Sequence, residues 1–138
     1  MIGLDTNVLA RYYIDDDADM QAQRQRLAAR RLIESGQPLM VSKSVILELE
    51  WVMRGYYGFT PAQVTSVVQH LLAQAHIKLE DRASVEQALS NCQAGLDFAD
   101  ALHHASYRSC ASIASFDDKK FARRAKRLGL APAIVVPS

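Results

Sequence analysis

MIGLDTNVLARYY, residues 1–13, is the stretch on which the fold turns. Ile2, Gly3 and Leu4 form a short apolar lead, Asp5-Thr6-Asn7 breaks it, and Val8, Leu9, Tyr12 and Tyr13 then recur at helical spacing. The pattern predicts a strand running straight into a helix, with a carboxylate at the junction. The same alternation continues along the chain. A helix is expected from Met20 to Ser35, stopped by Gly36-Gln37-Pro38, and a strand at Leu39 to Val41. Residues 42 to 57 form the most apolar helix candidate, with Ser42 or Ser44 as cap and Gly58 as stop. Thr60-Pro61-Ala62-Gln63 opens another helix, to about Gln74, because Thr can cap, Pro suits the first helical position and Gln63 completes a capping box. A strand at Ile77 to Leu79 follows, then helices over 81 to 94 and 97 to 109 separated by Gly95. Ser112 to Ala114 reads as a strand, 118 to 128 as a basic helix and Ile134 to Val136 as a last strand.

Five short strands alternating with helices predict an α/β fold in three layers, α/β/α, around a central, mostly parallel five-stranded sheet. At 138 residues the chain has the size of one domain, expected to span 1–138. With 49% hydrophobic and 22% charged residues, the composition excludes collagen-like, disordered and disulfide-scaffold classes. The start MIGLD lacks the basic region and apolar run of a secretory signal, and no stretch approaches the ~20 apolar residues of a bilayer span. A soluble, cytoplasmic protein without membrane contact is expected, and Cys92 and Cys110 are expected as free thiols. Sixteen Lys plus Arg against fifteen Asp plus Glu leave a net charge of +1, without the broad basic field of many nucleic-acid binders. Even so, Lys119, Lys120, Arg123, Arg124, Lys126 and Arg127 crowd one segment with no acid among them. Such a run is ordinarily a solvated helix face, but here it starts just after Asp117 and could carry nucleic-acid phosphates.

In parallel α/β sheets, functional groups gather beyond the carboxyl ends of strands, where Asp5 and Asp117 fall. On the helix over 42 to 57, a step of ~100° per residue puts Val45, Leu49, Val52 and Tyr56 on one stripe and Leu47 and Trp51 on a second. Glu48 falls between them with no basic residue three or four positions away, whereas Glu50 has Arg54 at i+4 and reads as a surface pair. A carboxylate among apolar side chains needs a proton, a partner or a cation. Asp97 suits a helix N-cap, and Asp100, three residues on, suits the helix dipole or a site. Ser115 and Asp118 match a capping box, which leaves Asp117 without a capping duty. Asp5, Glu48, Asp100 and Asp117 are therefore the acids of interest, and hard carboxylate oxygens suit Mg²⁺ or Mn²⁺. The four histidines lack zinc spacing, and neither a phosphate-binding Gly-rich loop nor a GxSxG elbow is present.

The chain resembles a PIN-domain ribonuclease, and more narrowly a VapC-type toxin of a bacterial toxin-antitoxin pair. The match lies in LDTNVLAR at 4–11, SVILELEWVM at 44–53, DFADALHHA at 97–105 and SFDDKKF at 115–121. The resemblance implies that Asp5, Glu48, Asp100 and Asp117 are the catalytic acids of one pocket, with Asp5, Asp100 and Asp117 as ligands for Mg²⁺ or Mn²⁺. It also implies cleavage of RNA, a homodimer, and inhibition by a small cognate antitoxin. By position, Thr6 or Asn7 would orient Asp5, Ser115 stands where the family often has Thr, and Asp97 is either a helix cap or a support for the ligands. His103-His104 replaces a small apolar pair common at that point.

Three other functions fit parts of the pattern. One is a free-standing PIN nuclease without an antitoxin, and another a PIN module that binds RNA without cutting it. A metal-dependent phosphatase could use Asp5 as nucleophile, but it expects a second acid two residues on, where this chain has Asn7.

Overall fold

The computed structural model describes residues 1–17 and 19–138. It is an α/β structure of short parallel strands and helices, and its chain divides into two compact units, Met1–Arg82 and Ala83–Ser138.

In the first unit, β1 (Ile2–Gly3), β2 (Leu39–Val41) and β3 (Ile77–Leu79) form a parallel sheet in that order, with Ile2 beside Leu39 and Leu39 beside Ile77. Parallel pairing requires crossovers. α1 (Thr6–Tyr13) and α2 (Met20–Ile33) supply the first; α3 (Lys43–Trp51) and α4 (Pro61–Ala73) supply the second. Leu39 and Val41 on β2 and Ile77 and Leu79 on β3 are buried, with Lys78 exposed between, so the sheet turns one face to the core. Leu9 and Leu49 bury fully as α1 packs on α3, and α1 also packs on α2.

Local chemistry sets the helix starts. Asp5, Asp19 and Ser42 each accept a hydrogen bond from a backbone N–H of the helix they precede. The expected capping box is present: Gln63 N donates to Thr60 Oγ1 at 3.2 Å, and Thr60 N donates to Gln63 Oε1 at 2.8 Å. Gly36 and Gly58, with φ of 80° and 68°, take the left-handed conformation that ends α2 and the segment after α3.

The second unit holds α5 (Arg82–Gln93, with its first residue in the unit before), α6 (Phe98–Ser106), β4 (Ser112–Ala114), α7 (Arg123–Arg127) and β5 (Ala133–Val135). β4 and β5 pair in parallel, Ile113 beside Ile134, and Ser115 N extends the ladder to Val135 O at 2.9 Å.

Three expectations need correction. The five strands exist and run parallel, but they pair as three plus two, not as one five-stranded sheet. Strands of two or three residues carry too few ladder positions for sequence to reveal which of them join. The single helix expected over 42 to 57 is α3 followed by a turn of π-helix at Val52–Tyr56, and the basic helix opens with another at Asp118–Ala122. The buried stripe of α3 is Ile46, Leu49, Glu50 and Met53, not Val45, Leu49, Val52 and Tyr56. With apolar residues on every side, hydrophobicity alone does not choose a face.

Candidate active site

In the first unit the chain leaves β1, passes Leu4, which holds the sheet through its N–H to Met40 O at 2.8 Å, and reaches Asp5 as the N-cap of α1. Asp5 Oδ1 accepts the Thr6 N–H at 2.8 Å. Thr6 therefore orients Asp5 with its backbone amide and not with its hydroxyl. Thr6 is 5% exposed, and its Oγ1 is buried without a hydrogen-bond partner among the described residues. Such an atom costs stability unless something meets it.

Asp5, Thr6 and Glu48 share one cleft of about 400 Å³, which Asn7, Arg11, Trp51, Tyr56 and Tyr57 also line. Glu48 is exposed along that cleft and not wedged between apolar stripes as expected. The buried acid is Glu50, 4% exposed, whose Oε1 accepts from Arg54 Nε at 2.8 Å. The expected pair with Arg54 thus exists, but its carboxylate is in the core. The two acids stand on the opposite sides from those expected, because the buried stripe of α3 runs through Ile46, Leu49, Glu50 and Met53. Arg11, Trp51 and Tyr57 went unnoticed as cleft residues. Trp51, three residues beyond Glu48, was the available signal, since that spacing returns to about the same helix face, whereas Arg11, six beyond Asp5, falls about 120° away and gave none.

In the second unit, Asp97 precedes α6 in extended backbone but makes no side-chain capping bond, so its carboxylate is not spent on the helix. Asp100 lies in the first turn, above the buried Ala101, Leu102 and Ala105. Its carboxyl holds its proton more tightly than usual: burial is the largest cause, and the charges of Asp97 and Asp117 add to it against the opposing effects of His103 and Arg124. Asp117 follows β4. Its Oδ1 accepts the Lys120 N–H at 2.9 Å, and its own N–H donates to Ser115 Oγ at 3.1 Å. The expected capping box is therefore replaced: Asp117, not Ser115, caps the turn, and Ser115 fixes Asp117. His104, one of the unusual pair, is a buried strut. It is 3% exposed, its Nε2 donates to Pro132 O at 2.9 Å, and its ring meets Phe121 edge-on. His103 is exposed.

None of Asp5, Glu48, Asp97, Asp100 and Asp117 forms an ion pair among the described residues, in contrast to Asp15, Glu34, Glu50 and Asp81. Neither do three His, Cys, Asp or Glu side chains among them make a ready metal cluster. A Mg²⁺ ion does not require one, since one or two carboxylates with water and phosphate oxygens complete its shell. In the first unit the unpaired Asp5 with the unpartnered Thr6 hydroxyl beside it, and in the second the mutual repulsion felt at Asp100, each suit a hard divalent cation.

An α/β protein with unpaired acids just past the carboxyl ends of parallel strands has the layout of an enzyme that handles phosphate esters with a divalent cation. The chain belongs to the PIN domain family, whose model matches residues 2–127, and PIN domains are generally nuclease domains that use divalent metal ions. No curated protein matched the chain in a search. Among the described residues no helix is long and apolar enough to cross a membrane.

Proposed function

We propose that the protein is an endoribonuclease dependent on Mg²⁺ or Mn²⁺ and the toxin of a toxin-antitoxin pair. The observation that carries this is the PIN match over 2–127 in a chain whose acids stand unpaired at the ends of β1 and β4. The match crosses the boundary at Arg82, which supports treating 1–138 as one domain. We assign metal binding to Asp5, Asp100 and Asp117, and to Glu48 the orientation of the attacking water. All four acids are taken to serve one reaction. When bound, the cation supplies a more acidic water and stabilises the oxygens of an in-line phosphoryl displacement.

The chain's own residues prepare that chemistry. The Thr6 amide and the Ser115 hydroxyl hold Asp5 and Asp117 in place. Asp97 and Asp117 raise the cost of ionising Asp100 until a cation relieves it. Lys119, Lys120, Arg123, Lys126 and Arg127 are exposed after Asp117 and can hold the RNA backbone. The toxin role, the homodimer and the small antitoxin partner rest on the likeness of the four quoted segments to VapC-type toxins.

Purified protein is expected to cut RNA internally with Mg²⁺ or Mn²⁺ and to stop on chelation. Its expression should arrest growth, and co-expression of a small neighbouring frame should relieve the arrest. Cleavage without growth arrest would leave a free-standing nuclease, and RNA binding without metal-dependent turnover would leave a non-cleaving module. Capture of a phosphoenzyme at Asp5 would indicate the phosphatase.

A further inference from the structure

The cleft of Asp5 and Glu48 has an aromatic lip that the proposed acids do not explain. Trp51 and Tyr56 line it while 60% and 76% exposed, and Tyr57 stands edge-on to Tyr56 with ring centroids 4.8 Å apart. Large aromatic side chains left in water forgo the burial that normally stabilises them, which is unusual on one lip unless a ligand covers them. Gly55 leaves the space beside the indole free of a side chain. A Cβ at Gly55 would lie 3.6 Å, 3.7 Å and 3.9 Å from Cε2, Nε1 and Cδ2 of Trp51, so the ring lies face-on against the glycine. Gly55 sits in the π-helical turn Val52–Tyr56, which ends in Tyr56.

We propose that this lip is a stacking platform for unpaired bases of single-stranded RNA, with Trp51 and Tyr56 positioning the strand beside Asp5 and Glu48. The proposal rests on the nuclease assignment for the identity of the strand. Stacking needs a π-face open to solvent, and a base inside a duplex has none to offer, so the platform selects unpaired RNA. Arg11 lines the same cleft; its Nε donates to Gln25 Oε1 at 2.8 Å, and its remaining N–H groups offer a cation to the backbone phosphate beside the stacked base.

Trp51 is the chain's only tryptophan, so its emission reports on the lip directly. The full-length protein is titrated, in chelator to prevent cleavage, with a short unstructured single-stranded RNA and with the same RNA annealed to its complement. The single strand should quench Trp51 saturably and the duplex should not. By anisotropy of labelled RNA, Trp51→Ala and Tyr56→Ala should each weaken binding by about tenfold, and Trp51→Phe should retain most of it. Alanine variants that bind like the wild type, or a duplex that quenches equally, would overturn the platform. So would emission that follows protein concentration and ignores RNA, which would assign the face to a second copy. If the quench and its loss appear without chelator-sensitive cleavage, the nuclease assignment fails and the platform stands; if cleavage appears and the alanine variants bind normally, the platform alone fails.

Discussion

Asp100 shows how a single residue ties stability to function here. Burial, and then the neighbouring Asp97 and Asp117, raise its proton affinity on folding. A carboxyl raised in this way favours the folded state at pH below the ordinary value of 3.8 and loses that contribution as pH rises through the raised value. At neutral pH its ionisation therefore opposes folding. Asp100→Asn should raise the Tm at pH 7, the gain should vanish below pH 3.8 where both side chains are neutral, and Mg²⁺ should raise the Tm of the wild type but not of the variant. Thermal melts across pH, with and without metal, check this; a lower Tm for the variant at neutral pH would count against it. Glu50 supplies the contrasting case of an acid that is buried and paired. Arg54→Ala should destabilise by ~2–3 kcal/mol because it strands a carboxylate only 4% exposed, whereas replacing both residues by Met should cost less. Denaturant melts of the two variants decide the order. At this scale the sequence showed Asp5, Asp100 and Asp117 as candidates through their positions after strands or at a helix start. It exchanged the roles of Glu48 and Glu50, because a helix apolar all round gives no phase from which to tell a cleft residue from a core one.

The elements were read most securely where local chemistry determines them. The Thr60–Gln63 box needs only four consecutive residues, and it stands as expected with both reciprocal bonds made. Thr60→Ala should cost about 1 kcal/mol and lower the Tm by roughly 4 °C, with the activity of the folded protein unchanged; differential scanning calorimetry tests it. A null effect would mean that tertiary packing alone holds the start of α4. The π-helical turns at Val52–Tyr56 and Asp118–Ala122 were not legible. A period of 3.6 residues does not register one extra residue in a turn, and neither segment contains a proline to flag the change. Both turns adjoin candidate functional residues: the first joins Trp51 to Tyr56 and Tyr57 of the aromatic lip, and the second follows the Asp117 cap. A segment that reads as plain helix was thus the place where the backbone departs from it.

For the molecule as a whole, the parallel α/β class followed from the alternation of strands and helices, since parallel strands require crossovers of that length. The division into a three-stranded and a two-stranded sheet did not follow, because pairing between such short strands depends on contacts distant in sequence. The net charge of +1 likewise concealed local concentrations of charge: exposed bases crowd 119–127, in the unit that also holds Asp97, Asp100 and Asp117. Near-neutrality in sum is compatible with an RNA-facing surface when the charges are sorted in this way. The central claim is that these acids and a divalent cation cleave RNA. Its most direct test compares the wild type with an Asp5→Asn, Asp100→Asn double variant on a defined single-stranded RNA, in Mg²⁺ or Mn²⁺ and again with chelator. The account predicts internal cleavage by the wild type that chelation abolishes, with a loss on the order of 10²-fold or more in a double variant that remains folded. Equal cleavage by the two proteins, or cleavage that continues in chelator, would contradict it.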